Sequence, residues 1–234
     1  MPEPFLELVD ISKTYPGVVA LDHVDLLVSP GEVIALIGEN GAGKSTLMKI
    51  LGGIVEPSEG VVCIDGEARH MTVAAAIAAG IAFVHQELNL FDNLDAAANV
   101  FIGREPRYGG PLRLIDRKTL REKVRGLLLR VGADFGPDAP VADLSLAQRQ
   151  LLEIAKALSL DARLVIMDEP TSSLTLSETD RLMGVIADLR KSGVSVIFIS
   201  HRLGEVKRCA DRVVVLRDGK TVGELKGAEI DPRR

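Results

Sequence analysis

The chain has 234 residues, 47% of them hydrophobic and 26% charged, and a formal net charge of −5. That length and apolar content build one domain, or two closely joined subdomains, around a large core, and they exclude an intrinsically disordered chain. The acidic balance, with a pI near 5.5, argues against nucleic acid as a partner, since proteins that bind it present a basic face.

The N-terminal stretch lacks the basic and apolar regions of a signal peptide. Residues 5–11 alternate apolar and polar side chains, as do residues 24–28, and both read as half-buried strands. Ser29-Pro30-Gly31 is a turn. Val33–Ile37 is a continuous apolar run, the mark of a strand covered on both faces in a parallel sheet, and it leads straight into a glycine-rich segment, 38–46. Residues 47–51 continue as a helix that Gly52-Gly53 stops. A further strand, 61–64, follows the turn Pro57-Ser58-Glu59-Gly60.

The longest apolar stretch, 73–84, is interrupted by Gly80 and is shorter than the ~20 residues a membrane span needs. The chain therefore reads as soluble, with any membrane role supplied through a partner. Residues 81–84 form a short strand leading to Gln86, and from about 93 to 160 the pattern turns helical. Within it, 116–131 carries apolar residues at helical spacing among Lys, Arg and Glu, and 145–158 is a second helix. Residues 163–167 and 194–199 read as buried strands, with an amphipathic helix over 177–192 between them. Residues 212–216 and 220–225 flank Asp218-Gly219, a hairpin signal. Cys63 and Cys209 are too few for a disulfide framework and read as small core hydrophobes of a reducing compartment.

Gly38-Glu39-Asn40-Gly41-Ala42-Gly43-Lys44-Ser45-Thr46 fits the spacing of a phosphate-binding loop. Its glycines let backbone N–H groups turn toward phosphate oxygens, and the helix that follows aims its positive end at the same anion. Lys44 is the candidate for the β- and γ-phosphates and Ser45 for a metal ion, while Glu39 and Asn40 offer only backbone. Asp168 and Glu169 close the apolar run Leu164-Val165-Ile166-Met167. Alone, that pattern is an ordinary strand ending in solvated acids. Beside a phosphate loop it makes Asp168 a metal ligand and Glu169 the base or orienting group for an attacking water. A lone histidine after a strand is usually a surface or capping residue. His201 and Gln86, however, both follow sheet strands, where ligand sites of α/β proteins form, and both could reach the terminal phosphate. Phe83, Phe91 and Phe101 read as core or interface packing, and the charge of 116–130 as a solvated helix face.

These residues together resemble the ATP-binding-cassette transporter ATPases over essentially the whole chain. The resemblance implies an α/β fold: a P-loop NTPase core with a mainly parallel sheet (33–92 and 161–234), an N-terminal antiparallel β layer (1–32 with 60–70) and an inserted helical subdomain (93–160). It implies ATP and Mg²⁺ as cofactors, with Ser45, Gln86 and Asp168 at the metal and Glu169, His201, Gln86 and Lys44 in catalysis. It also casts Tyr15, in Lys13-Thr14-Tyr15-Pro16-Gly17, as the aromatic that stacks on adenine. Leu144-Ser145-Leu146-Ala147-Gln148 resembles the family signature, usually LSGGQ, whose Ser145, Leu146, Ala147 and Gln148 would face the ATP of a partner cassette. Two glycines of that signature are replaced by Leu146 and Ala147, and the aspartate of the following D-loop by Thr175.

Val84-His85-Gln86-Glu87-Leu88-Asn89-Leu90 and Asn99-Val100-Phe101-Ile102-Gly103-Arg104-Glu105 are similar to bacterial monosaccharide importers of the ribose, galactose, xylose and arabinose type. Those chains are about twice as long and carry two cassettes, of which this one resembles the first. The resemblance implies an ATPase energising sugar import, peripheral on the cytoplasmic face of the cell membrane. Its partners would be a second cassette (in the same chain or a second copy), a membrane permease and, indirectly, a periplasmic sugar-binding protein. Two other readings stay open. A non-transport cassette ATPase acting on DNA or ribosomes is disfavoured by the acidic pI, and a regulatory module without turnover is kept open by Leu146 and Thr175.

Overall fold

The computed structural model describes residues 4–200 and 202–229, so His201 lies outside the described residues. The chain opens with β1 (Leu6–Tyr15) and β2 (Val18–Val28), followed by β3 (Val33–Ile37), α1 (Lys44–Leu51), β4 (Glu59–Ile64) and β5 (Glu67–Arg69). Next come α2 (Val73–Ala78), β6 (Ile81–Val84), α3 (Ala96–Phe101), β7 (Arg107–Tyr108), β8 (Leu114–Ile115), α4 (Arg117–Arg130) and α5 (Leu146–Leu158). The last part holds β9 (Leu164–Asp168), α6 (Leu176–Lys191), β10 (Ser195–Ile199), α7 (Leu203–Cys209), β11 (Arg212–Arg217) and β12 (Lys220–Lys226).

Six strands form the central sheet in the order β12-β11-β3-β10-β9-β6, parallel except for the β11–β12 hairpin at one edge. The apolar runs of its inner strands divide by alternation between two cores. Val33 and Ala35 of β3, Val165 and Met167 of β9 and Val196 and Phe198 of β10 face one core with α4, α5 and α6. Ile34, Leu36, Ile166, Ile197 and Ile199 face the other, together with α1 and the N-terminal strands. Burial on both faces is why these strands carry no polar alternation.

A second sheet, antiparallel in the order β2-β1-β4-β5, covers the α1 side. The β1–β2 hairpin is longer than the alternation at 5–11 and 24–28 predicts, running on to the pair Tyr15↔Val18. Register shifts after Leu8 and Ile11, and a left-handed Asp10 with φ 56°, explain the difference. Each bulge resets which face a residue points to, so the period of two is lost while the ladder continues. Arg163, just before β9, ties the two sheets: it meets Asp65 through two contacts of 2.8 and 2.6 Å and lies 4.3 Å from the Phe5 ring centroid.

Three expectations are corrected. The first helix begins at Lys44 rather than at residue 47, so Lys44, Ser45 and Thr46 stand on its first turn. Cys63 is half-buried on β4 and belongs to neither core. Cys209 is also only half-buried, packing at the margin of the larger core, and burial there pushes its thiol pKa up to about 12. Phe83 and Phe101 pack against the cores, while Phe91 is half-exposed and outside both, which leaves the interface half of its expectation standing.

Candidate nucleotide site

β3 delivers the chain at Ile37 to the glycine-rich loop, and the loop ends in α1. Residues Asn40 to Thr46 wrap one side of a cavity of about 300 Å³. The Lys44 ammonium donates to the carbonyl oxygens of Gly38 (2.7 Å) and Glu39 (2.9 Å), which fixes it across the loop mouth. No side chain caps the start of α1, where Gly43 stands in the left-handed region. Its first N–H groups and the positive end of its dipole are therefore directed at the cavity, as an anion site requires.

β9 ends at Asp168, one strand removed from β3 with β10 between them, and Asp168 and Glu169 form the opposite wall. Burial, then the neighbouring Glu169 charge, raises the Asp168 pKa above the ordinary carboxylate value, while His85 and Lys44 pull it back. A carboxylate held in that balance gains most from a cation brought beside it. Glu169 has a left-handed backbone, φ 44°, and donates its N–H to Ile199 O at 3.1 Å. That conformation is uncommon for a glutamate and marks a position over-determined by its surroundings. Gln86, just beyond β6, completes the wall. Ser45, Gln86 and Asp168 thus line one cavity. They are hard oxygen donors of the kind a small divalent cation takes.

The structure brings together Asn40, Gly41, Ala42, Gly43, Lys44, Ser45, Thr46, Gln86, Asp168 and Glu169, all around one cavity. Gly38 and Glu39 support Lys44 from behind the lining. Tyr15 is not in the cavity wall. It lies at the tip of β1, 38% exposed, with the Lys13 ammonium 5.3 Å from its ring centroid. The wall on that side is Val18 and Ala20 of β2, with Ile199 behind. Sequence reasoning missed these three because small aliphatic residues in a strand carry no chemical signal.

Ser145, Leu146, Ala147 and Gln148 lie outside this cavity, at the start of α5. Ser145 caps the helix in a reciprocal arrangement. Its hydroxyl accepts the Gln148 N–H at 3.3 Å, and the Gln148 side chain accepts the Ser145 N–H at 2.9 Å. Gln148 also donates to Asp134 at 2.9 Å. Leu146 is 46% exposed. Thr175 caps α6 in the same way with Glu178. Thr and Asp are both good caps, so the departure at Thr175 leaves the local helix start intact.

A phosphate loop after a buried parallel strand, facing an acid pair across one cavity, defines a P-loop nucleotide-binding protein. The family model described as ABC transporter matches residues 21–172. The chain belongs to the ABC transporter family. It is 51% identical over 98% of its length to Ribose import ATP-binding protein RbsA 1 of Burkholderia thailandensis, covering 45% of that protein. It is 53% identical over 93% of its length to a putative ribose/galactose/methyl galactoside import ATP-binding protein of Agrobacterium fabrum, covering 43% of it. The chain thus spans less than half the length of these relatives. Among solved structures, an ATP-binding cassette of an ABC transporter in its ADP conformation matches with a TM-score of 0.87 and 26% identity, over 98% of this chain and 96% of that one. A dimeric post-hydrolysis cassette bound to ADP and Pi matches with a TM-score of 0.79 and 26% identity, over 94% of this chain and 98% of that one. Among the described residues, no helix is long and apolar enough to cross a membrane.

Proposed function

We propose that the chain binds Mg-ATP in this cavity and hydrolyses the terminal phosphate, energising monosaccharide import through separate membrane subunits. The observation that carries the reading is Asp168 and Glu169 standing across one cavity from Lys44 and the α1 N-terminus. The loop amides and Lys44 bind the phosphates, and Ser45, Gln86 and Asp168 hold the cation. A bound Mg²⁺ would neutralise phosphate charge there. Glu169 orients the attacking water and takes up its proton, with Gln86 and His201 at the terminal phosphate. Tyr15 stacks on the base from the hairpin tip.

The relatives' names support ribose or galactose as the kind of cargo. Dimeric cassette structures support a composite site in which Ser145 and the α5 N-terminus face the γ-phosphate of ATP held by a partner cassette, in the same longer chain or a second copy. The working division is an antiparallel layer (1–32 with 60–70), a core (33–92 and 161–234) and a helical part (93–160) that passes motion to a permease fed by a periplasmic sugar-binding protein. The protein then works on the cytoplasmic face of the membrane.

Glu169→Gln tests the catalytic core of the proposal. The variant keeps the side chain's size and removes its basicity, so Mg-ATP affinity stays and phosphate release stops. Phosphate release at the parental rate removes Glu169 from the role.

A further inference from the structure

Glu205, on α7, is buried, and both oxygens of its carboxylate accept hydrogen bonds. One oxygen, Oε2, accepts the Thr171 hydroxyl at 2.7 Å and the Ser200 hydroxyl at 3.1 Å. The other, Oε1, accepts the Arg202 guanidinium at 3.3 Å. Arg202 in turn donates its backbone N–H to Ser200 Oγ at 3.0 Å and its guanidinium to Ser172 O at 3.4 Å. Thr171 and Ser200 are themselves 2% and 4% exposed.

The partners come from two separate segments. Thr171 and Ser172 follow Glu169 by two and three residues, and Ser200 and Arg202 flank position 201. The Glu169 N–H bond to Ile199 O joins the same two segments a few residues away. A buried carboxylate is costly unless it is hydrogen-bonded and paired. Here the cost is met only if both segments sit in one register. The geometry points to Glu205 as a positioning residue: a clamp that holds the loop after Glu169 and the segment around position 201 in fixed relation at the phosphate end of the cavity. Glu205 itself is not in the cavity wall. The inference rests on the hydrolysis reading above, because the two segments it joins carry Glu169 and His201, assigned there to the attacking water and the terminal phosphate.

Glu205→Gln tests it in the purified protein. The amide keeps the shape but cannot accept all three donors. At saturating Mg-ATP, kcat falls about tenfold or more, the scale on which small misplacements of reacting groups act. KM and nucleotide Kd stay within about twofold. Thr171→Val falls in the same direction, Thr171→Ser restores turnover, and the double variant E205Q/T171V is no slower than E205Q alone. Hydrogen exchange gives a readout independent of turnover: in E205Q the amides of Glu169, Thr171, Ser172 and Ser173 and those of Ser200 and Arg202 lose protection together while those of the phosphate loop do not change. The clamp is overturned by parental turnover in E205Q, by KM and Kd rising along with the loss of kcat, by T171S as slow as T171V, or by exchange rising in one segment only. A parental protein that binds Mg-ATP without turning it over overturns the hydrolysis reading instead, and the exchange pattern then decides the clamp by itself.

Discussion

Gly43 offers a quantitative check on the phosphate loop. It adopts φ 103°, and a Cβ built there would lie 2.6 Å from the Ala20 carbonyl oxygen and 2.8 Å from Leu21 Cδ2. Gly41, two residues earlier in the same loop, also has a positive φ, 86°, but a Cβ there meets nothing within 4 Å. Alanine at either position bears the left-handed penalty of about 1–2 kcal/mol. Only Gly43→Ala adds an overlap with backbone and core, worth about 1–3 kcal/mol more. The expected losses are therefore about 1–2 kcal/mol for Gly41→Ala and about 2–5 kcal/mol for Gly43→Ala. Urea unfolding of ligand-free protein, followed by far-ultraviolet circular dichroism, reads the difference. With an m-value of about 3 kcal/mol/M, Gly41→Ala lowers the midpoint by about 0.3–0.7 M and Gly43→Ala by about 0.7–1.7 M. Coincident midpoints would mean that the loop does not approach β2 as described.

Other expectations follow from the same structure. Lys44→Ala weakens Mg-ATP binding in a fluorescent-nucleotide titration, and undiminished affinity counts against the phosphate-loop assignment. Asp168→Asn stabilises the ligand-free protein at neutral pH. The raised pKa means that the native state favours the protonated carboxyl, so the ionised group costs stability once the pH exceeds its folded pKa. The gain shrinks as the pH is lowered through the carboxylate range, and a gain independent of pH refutes the attribution. Thr175→Ala loses about 1 kcal/mol of stability and Thr175→Asp does not, because both native and aspartate side chains cap α6; equal losses would separate the residue from capping. Phe198, fully buried in β10, costs about 3–5 kcal/mol on truncation to alanine, measured by the same urea titration.

Much of the site was legible because its chemistry is local. The loop from Gly38 to Thr46 needs a buried strand before it and a helix after it, and both leave plain marks in the sequence. Asp168 and Glu169 stood out as charges ending an apolar run. What escaped notice depends on tertiary context. α2 is six residues, five of them Ala or Val and one Ile, without a polar face to set a period. The two-residue strands β7 and β8 are below the length at which alternation can be seen. α7 is short and its acid, Glu205, points inward. The apolar cavity wall from Val18, Ala20 and Ile199 is set by how the two sheets pack. The placing of Tyr15 follows from bulges that the alternation of β1 does not encode.

The order of strands in the central sheet bears on biosynthesis. β3 pairs with β10 on one side and β11 on the other. Both neighbours are translated long after it, and contacts so distant in sequence form late and slowly. A nascent polypeptide emerging from the ribosome therefore exposes its glycine-rich segment without a frame to hold it until residues up to about 217 are free. Capacity to capture nucleotide arrives only after β10 and β11 have been made, which makes ligand binding a report that the central sheet has closed.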